Sequence, residues 1–348
     1  MRDLIFLQSC PDDNYFVWQV HLWLESLKNI GKSQDAISCI FVPSDRKERN
    51  PKWDELIALY PESEFFFTRD DKNEIGNVLG IYIPVLRPFV ISKYFELHPE
   101  MKEKAIFYCD ADIIFTDKFD VSKYIDDDVC YLSDTNSYIN ASYFDSKIKD
   151  VKPEKLEQYK KGDVLGQITK AIGISREIAE KNNENSGGAQ YLLKNVDVEF
   201  WKKVKRDCIL IRQYLLNTNR TFFESENKGF QSWAADMWSV LWNLWLREQS
   251  TRIIPEMDFA WSTDGISKLE KVGILHNAGI AGDFHTEKHG EIEIKYPMFF
   301  KGKYHNNTSP FEDKHLEIVL NDEKNKTFCN NFYVQKMFEI KNKYKIQY

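Results

Sequence analysis

Two carboxylates follow a short apolar segment in the first third of the chain. Asp110 and Asp112 are separated by one residue, and Ala105–Cys109 before them is a predicted strand. Ligands of open α/β sheets bind at the carboxyl ends of strands, which is where these acids fall. Mg²⁺ and Mn²⁺ prefer oxygen ligands and often share them with a diphosphate. The pair predicts a metal site, with a solvated acidic turn as the alternative.

A histidine ends a second apolar segment. Gly273–His276 is a predicted strand, and an imidazole at a strand end can be a further metal ligand. Gly279 follows, and a glycine there permits close approach of the backbone to a phosphate. The alternative for His276 is a core histidine with satisfied hydrogen bonds.

Two adjacent glycines precede another predicted strand, Ala189–Leu193. Gly187, Gly188 and Gln190 would let the backbone lie against a flat ligand such as a sugar ring. The segment matches neither a dinucleotide-binding glycine motif nor a P-loop. An ordinary turn is the alternative.

A tryptophan-rich helix, predicted over Phe230–Arg247, carries one acid. Trp233 and Asp236 are three residues apart on one face, which suits stacking on a sugar and recognition of its hydroxyls. An unpaired buried acid is costly, so Asp236 must either face a site or pair with an arginine or lysine. Both readings stay open on the sequence.

Further candidates lie on the elements that precede the Asp110 strand. Arg87 and Lys93 are on a predicted helix, where cations could neutralise a nucleoside diphosphate or pair with Asp110. The alternative is solvation at the surface, which is favoured for Lys93. Ser9, after the first predicted strand, is a further candidate for contact with the nucleotide ligand.

The elements that must position these residues alternate between strand and helix. Short apolar strands and amphipathic helices in alternation favour a mostly parallel, Rossmann-like sheet covered by helices on both faces. The predicted strands are Leu4–Gln8, Ala36–Val42, Glu64–Thr68, Ala105–Cys109, Val129–Leu132, Ala189–Leu193 and Gly273–His276. The predicted helices are Tyr15–Asn29, Trp53–Leu59, Pro84–Leu97, Val198–Leu216, Phe230–Arg247 and Phe328–Tyr344.

One fused α/β unit is expected, because no flexible linker interrupts the chain. Residues 1–285 are predicted as the main domain, with a nucleotide-binding half to residue 120 and an acceptor half after it. Residues 152–185 are charged and predicted to form a helical insertion or flap that contributes little to the core. Beyond Gly279 the chain is predicted to be loop-like up to a helix at residue 328, and residues 286–348 to pack on the main domain.

Composition excludes several classes of protein. The 348 residues are 43% hydrophobic and 14% aromatic, which rules out intrinsic disorder. A net charge of −7 argues against a protein that coats nucleic acid. The six cysteines show no zinc-finger spacing, and buried free thiols indicate a reducing compartment. Without a predicted signal peptide or membrane span, a soluble cytoplasmic protein is expected.

In combination, these residues resemble the nucleotide-sugar glycosyltransferases of the DxD, or type A, fold. The resemblance covers about residues 1–285, in the order Asp110-Ala-Asp112, Gly187-Gly188, His276. The section Leu86–Phe119, the tryptophan-rich helix and the His276 strand end look most like the hydroxyproline arabinosyltransferase and peptidyl-serine galactosyltransferase group. The resemblance extends to related phage glycosyltransferases. The Lys- and Asn-rich composition and the lack of a predicted signal peptide favour a viral or bacterial cytosolic setting, with the host cytoplasm as the location if viral.

The resemblance implies roles for individual residues. Asp112 and His276 would bind Mn²⁺ or Mg²⁺, and Asp110 the metal or the donor ribose. The glycine pair would line the sugar, and Asp236 would contact the donor or acceptor. Asn277 and Ala278 stand where the family often has an aromatic residue or glycine, which weakens the expected contact between Gly279 and the diphosphate.

The implied reaction transfers a hexose or pentose from a nucleoside-diphosphate sugar, UDP-linked by expectation, to an acceptor hydroxyl. Retention of configuration is favoured, and Asp236 would be the general base of an inverting reaction. The acceptor stays open between a protein hydroxyl, a glycan and a hydroxymethylated DNA base. The alternatives are a divalent-metal nucleotidyltransferase, for which Asp117 and Asp120 would be further carboxylates, and a sugar-binding module without catalysis.

As a strand-end acid expected at the surface, Asp112 is also predicted to be replaceable without damage to the fold.

Overall fold

The computed structural model describes residues 2–75, 82–225, 228–279, 285–288, 291–294, 297–305 and 309–344. Only the backbone is described for 285–288 and 291–294. The strands are β1 (Leu4–Pro11), β2 (Ala36–Phe41), β3 (Glu64–Thr68), β4 (Ala105–Cys109), β5 (Ile113–Phe115), β6 (Cys130–Leu132), β7 (Tyr191–Leu193), β8 (Thr251–Ile253), β9 (Phe259–Trp261), β10 (Ile274–His276), β11 (His285–Lys288) and β12 (Glu291–Ile294).

A mixed, mostly parallel sheet of seven strands lies at the centre of the fold, in the order β3-β2-β1-β4-β7-β6-β8. Strand β2 pairs in parallel with β1 and β3, and β6 pairs in parallel with β8. Strand β7 is antiparallel to both β4 and β6. The α/β class predicted from strand and helix alternation is confirmed, and the predicted bounds of β3 and β4 agree with the structure.

Helices flank the strands. They are α1 (Asn14–Asn29), α2 (Lys52–Leu59), α3 (Leu86–Leu97), α4 (Asn136–Ile139), α5 (Ala141–Ser146), α6 (Leu156–Gly162), α7 (Val164–Ile172), α8 (Arg176–Lys181), α9 (Val198–Phe222), α10 (Ala235–Leu246), α11 (Ile266–Leu269), α12 (His315–Asn321) and α13 (Cys329–Tyr344). None of the helices in the described part of the chain has the length and apolar character needed to cross a bilayer.

The chain divides into two compact units, each assembled from three stretches. The first contains Met1–Ile5, Asp70–Tyr108 and Ser122–Ile254, and the second contains Phe6–Arg69, Cys109–Val121 and Pro255–Tyr348. The boundaries expected at residues 120 and 285 stay predictions.

The second unit has a core that joins its first and last helices. Helix α1 begins where the Asp13 carboxylate accepts a hydrogen bond from the Tyr15 backbone N–H at 2.8 Å, which satisfies one free donor of the helix start. Trp18 from α1 packs with Ile114 of β5, Leu275 of β10 and residues of α13. This core holds β5 and β10, the strands on either side of the predicted metal ligands.

The first unit is built around α9, which packs against α3 and α10. Trp201 and Trp238 are fully buried. The side chain of Lys194 is also buried, and its ammonium reaches the Asp127 carboxylate at 2.8 Å and the Val129 carbonyl at 2.5 Å. A buried charge with such partners is a fixed structural element.

Two sequence-based expectations were wrong. Residues 152–185 do contribute to a core, because α7 buries one face, including Leu165, Ile168 and Ile172. The charged residues around α7 masked this amphipathic pattern. The region after Gly279 contains β11, β12 and α12. The alternation Glu291-Ile-Glu-Ile294 is a strand pattern in a polar setting.

All six cysteines are buried and outside any disulfide, in agreement with the prediction of buried thiols.

Candidate metal centre

The predicted ligands lie where β5 pairs with β10. Strand β4 ends at Cys109, a turn carries Asp110 and Asp112, and β5 begins at Ile113. Strand β10 is antiparallel to β5, with His276 opposite Ile113. The Asn277 N–H donates to the Asp112 carbonyl at 3.0 Å and extends the pairing past the strand ends. This register brings His276 beside the acidic turn, although the two lie far apart in sequence.

The three side chains converge on one position. His276 Nε2 lies 3.3 Å from Asp112 Oδ1 and 3.8 Å from Asp110 Oδ2. One ligand atom from each residue lies within 4.8 Å of the others. Asp112 and His276 are buried, whereas the Asp110 side chain is 30% exposed. The arrangement has a closed side formed by Asp112 and His276, and an open side at Asp110.

A lysine that the sequence reasoning missed completes the charge distribution. The Lys301 ammonium donates to Asp112 Oδ2, and both side chains are largely buried. Burial alone would raise the pKa of Asp112, but the neighbouring Lys301 and His276 outweigh it and hold that pKa well below the usual range. Asp112 is therefore a buried carboxylate with a cationic partner, and the expectation that it lies at the surface was wrong.

The donor set fits a hard divalent cation. Two carboxylates and one imidazole can bind Mn²⁺ or Mg²⁺ and leave positions for substrate oxygens. Asp112 Oδ1 is buried and lies 3.3 Å from His276 Nε2. A buried carboxylate oxygen that faces an imidazole nitrogen at this distance is suited to share a metal ion with it.

Aromatic side chains lie beside the histidine and near Asp112. The ring centroids of Trp261 and His276 are 5.1 Å apart, because β9 runs in parallel beside β10. Tyr15, at the start of α1, stacks on His305 with centroids 4.0 Å apart. Burial raises the pKa of Tyr15, and the Asp112 charge raises it further. Because Asp112 and His276 are buried, solvent screens the charges beside them weakly.

Arg87 and Asp236 both belong to the first unit and form a buried ion pair there. Burial raises the pKa of Asp236 despite the opposing charge of Arg87. Of the alternatives left open by the sequence, the structure contains the pairing of this acid with an arginine. A catalytic role for Asp236 and a diphosphate contact for Arg87 stay predictions.

Trp233 is 55% exposed and belongs to a group of aromatic and cationic side chains in the first unit. The Tyr82 hydroxyl donates to the Trp233 carbonyl at 2.7 Å. The Arg212 guanidinium lies 4.1 Å from the Tyr82 ring centroid and 5.8 Å from that of Trp233. The indole face suits stacking on a sugar, which stays a prediction for this chain.

The glycine pair is tightly packed by its own unit. A Cβ at Gly187 would lie 2.4 Å from the Ser133 carbonyl oxygen, and one at Gly188 would lie 2.6 Å from the Tyr191 hydroxyl. These contacts explain both glycines without a ligand. Gln190, which follows them, is fully buried.

The remaining candidates lie in different settings. Lys93 pairs with Glu74 at 2.6 Å, so its ammonium already has a carboxylate partner. Ser9 is buried on β1 opposite Cys39, and its hydroxyl has no hydrogen-bond partner among the described residues. Gly279 has a φ of +127°, a conformation that favours glycine, and a Cβ added there would meet no atom of the described residues within 4 Å. Donor contact by these residues stays a prediction.

Comparison with known proteins gives structural neighbours only. No protein-family model matches the chain, and no curated protein matches it significantly. The apo structure of the bifunctional glycosyltransferase WbbM aligns over 97% of this chain and 52% of its own, at 11% identity and a TM-score of 0.44. This chain thus spans about half the length of the WbbM structure.

Two further solved structures align with most of their own length. The galactosyltransferase LgtC, in complex with donor and acceptor sugar analogs, aligns over 81% of this chain and 90% of its own, at 12% identity and a TM-score of 0.38. Mouse xyloside xylosyltransferase 1, in its apo form, aligns over 79% of this chain and 98% of its own, at 11% identity and a TM-score of 0.36. Scores and identities this low carry no argument about activity.

Proposed function

We propose that this chain is a metal-dependent glycosyltransferase that uses a nucleoside-diphosphate sugar, with a UDP-sugar as the expected donor. The observation that carries the proposal is the convergence of Asp110, Asp112 and His276 within 4.8 Å. Their order along the chain, and the strand-end position of each, resemble the DxD glycosyltransferases. Within that family, we propose that the chain is most similar to the hydroxyproline arabinosyltransferase and peptidyl-serine galactosyltransferase group and to the related phage enzymes.

Each residue of this centre has a defined role in the proposed reaction. Asp110 and Asp112 would bind Mn²⁺ or Mg²⁺ through their carboxylates, and His276 through Nε2. When bound, the metal supplies electrostatic stabilisation of the nucleoside diphosphate leaving group. Asp112 is fixed by burial, and Trp261 packs against the His276 ring, so both ligands are held in place before substrate arrives.

The acceptor hydroxyl forms a bond to the anomeric carbon as the bond from that carbon to the diphosphate oxygen breaks. We propose retention of configuration, in which the leaving phosphate accepts the hydroxyl proton. Support comes from Asp236, because its pairing with Arg87 makes it a poor candidate for the free carboxylate that an inverting reaction needs.

A donor screen tests the proposal. UDP-, GDP-, CDP- and dTDP-linked sugars are incubated with the protein and Mn²⁺, and the released nucleoside diphosphate is measured, with EDTA and Asp110→Asn as controls. Metal-dependent release from one donor, absent in both controls, is the expected result. Release of pyrophosphate from nucleoside triphosphates would instead favour nucleotidyl transfer. Sugar binding without any release would favour a non-catalytic module.

A further inference from the structure

The Lys301 ammonium contacts one oxygen of Asp112, the more buried of the two predicted carboxylate ligands. Asp112 presents Oδ1 to His276 and Oδ2 to the Lys301 ammonium. The exposed fraction of the Lys301 side chain is 12%, and that of Asp112 is 8%. The contact is therefore poorly screened by solvent, and its charge acts at short range on any cation bound by Asp112.

Lys301 is held in this place by the packing of its neighbours. It begins a short 3₁₀ turn, Lys301–Tyr304, directly after the buried Phe299 and the half-buried Phe300. The Asn330 side chain accepts from the Phe299 N–H at 2.8 Å and donates to its carbonyl at 2.9 Å. The Tyr304 ring stacks on Phe299 with centroids 5.5 Å apart. Both ends of the turn are thus anchored in the core of the second unit.

The charges of the centre imply that Lys301 and a divalent cation compete for the Asp112 carboxylate. Two carboxylates and one ammonium leave a single negative charge for a divalent cation to meet. A metal bound to Asp112 while Lys301 remains would lie beside a second, poorly hydrated positive charge. Either the ammonium leaves the carboxylate or the metal binds weakly, and in both cases Lys301 reduces the affinity for the metal alone.

We propose that Lys301 is a built-in competitor of the divalent cation for Asp112. It neutralises the buried carboxylate in the metal-free protein and opposes binding of a bare metal ion. An anionic ligand that accompanies the metal relieves this opposition, because it supplies the negative charge that two cations require. The inference rests on the proposed metal site, and it adds a residue that sets when that site is filled.

Binding of Mn²⁺ alone tests the proposal, through the electron paramagnetic resonance signal of the free ion during titration. Lys301→Met removes the charge, and Lys301→Gln removes it while keeping a hydrogen-bond donor for Asp112 if the methionine variant folds poorly. Either variant is expected to bind Mn²⁺ about tenfold tighter or more, because a like charge in a buried site has been removed. Addition of UDP should improve the affinity of the wild type more than that of the variants.

Lys303 gives a matched control. It lies in the same turn, is exposed, and pairs with Asp313 at 2.8 Å. Lys303→Met should leave Mn²⁺ affinity unchanged. Equal or weaker Mn²⁺ binding by the folded Lys301 variants, relative to the wild type, would overturn the role of Lys301 while the metal site stands. An absence of Mn²⁺ binding in the wild type and all variants would overturn the metal site itself, and the inference with it.

Discussion

At the scale of residues, the centre combines ligands of different burial, and their substitutions should have different effects. Asp112 is buried and paired with Lys301, so its removal leaves an uncompensated ammonium. Breaking a buried pair in this way costs about 3–5 kcal/mol. Asp110 is more exposed, and it gives the cleaner test of metal binding.

Asp110→Asn should lower metal-dependent release of nucleoside diphosphate by about 100-fold or more. Loss of a residue that only hydrogen-bonds to a metal ligand already costs roughly 10–100-fold in metal affinity or activity, and Asp110 is proposed to bind the metal directly. The free energy of unfolding should change by less than about 1 kcal/mol, because the side chain is partly solvated. Initial rates and urea unfolding measure the two effects. Asp117→Asn, an exposed acid of the following turn, is the matched control. Equal losses in both variants would contradict a specific role for Asp110.

Sequence reasoning identified Asp110, Asp112 and His276 because each lies at the end of a short apolar strand or just after it, which is a local signal. It missed Lys301, which follows no predicted strand and belongs to a polar region with many lysines. The contact of Lys301 with Asp112 depends on packing around Phe299 and Asn330, and nothing in the local pattern reports that packing.

At the scale of elements, α3 and α10 are joined inside the first unit by the pair of Arg87 and Asp236. Arg87→Met should destabilise the protein by about 3–5 kcal/mol, because Asp236 would remain buried without its partner. Thermal and urea unfolding measure the loss. Arg87→Met combined with Asp236→Leu should recover much of the stability. A double variant as unstable as the single one would contradict the ion pair as the cause.

Helix α7 is the element whose contribution was underestimated from the sequence. Ile168 is fully buried on α7, which packs against α5, α9 and α10. Ile168→Ala should lower the free energy of unfolding by about 2–5 kcal/mol, because it leaves a cavity in the core. Ile178→Ala on α8 is the matched control, since that side chain is 36% exposed. Similar small losses in both variants would restore the view of residues 152–185 as surface decoration.

The bounds of the elements were predictable where one period dominates. The helix at Val198 has such a pattern, although α9 continues to Phe222, beyond the predicted end. The strand Ala105–Cys109 was predictable for another reason, because it is apolar and buried throughout. Strands β8 and β9 have three residues each, which is too short to show a period. Tertiary pairing, rather than local propensity, determines such strands.

At the scale of the whole molecule, the second unit joins α1, near the start of the chain, to the end of α13. Glu25 of α1 accepts hydrogen bonds from the Tyr60 and Tyr344 hydroxyls at 2.8 Å and 2.6 Å, and from the Lys343 ammonium at 2.6 Å. Burial raises the pKa of Glu25, but these partners outweigh it and lower that pKa below the ordinary value of 4.5. Contacts so distant in sequence are not readable from composition or periodicity.

The depressed pKa of Glu25 fixes the sign of a pH effect. Its stabilising contribution is present above about pH 4.5 and disappears as the pH falls through the lower folded-state pKa. Glu25→Gln should therefore be less stable than the wild type near pH 7, and the difference should shrink toward pH 3. Urea unfolding across this range measures it, with the exposed Glu339→Gln as a control. A difference that does not vary with pH would contradict the linkage.

The separation of Asp112 and Lys301 by 189 residues has a consequence for the order of events during synthesis. The contact between Asp112 and Lys301 closes this loop, and such a long-range contact should form after most local structure. The entropic cost of closing the loop grows only slowly with its length. During synthesis on the ribosome, Asp110 and Asp112 emerge long before Lys301. Until then Asp112 lacks its counter-ion and cannot be buried at low cost, so the centre should be among the last parts of the chain to mature.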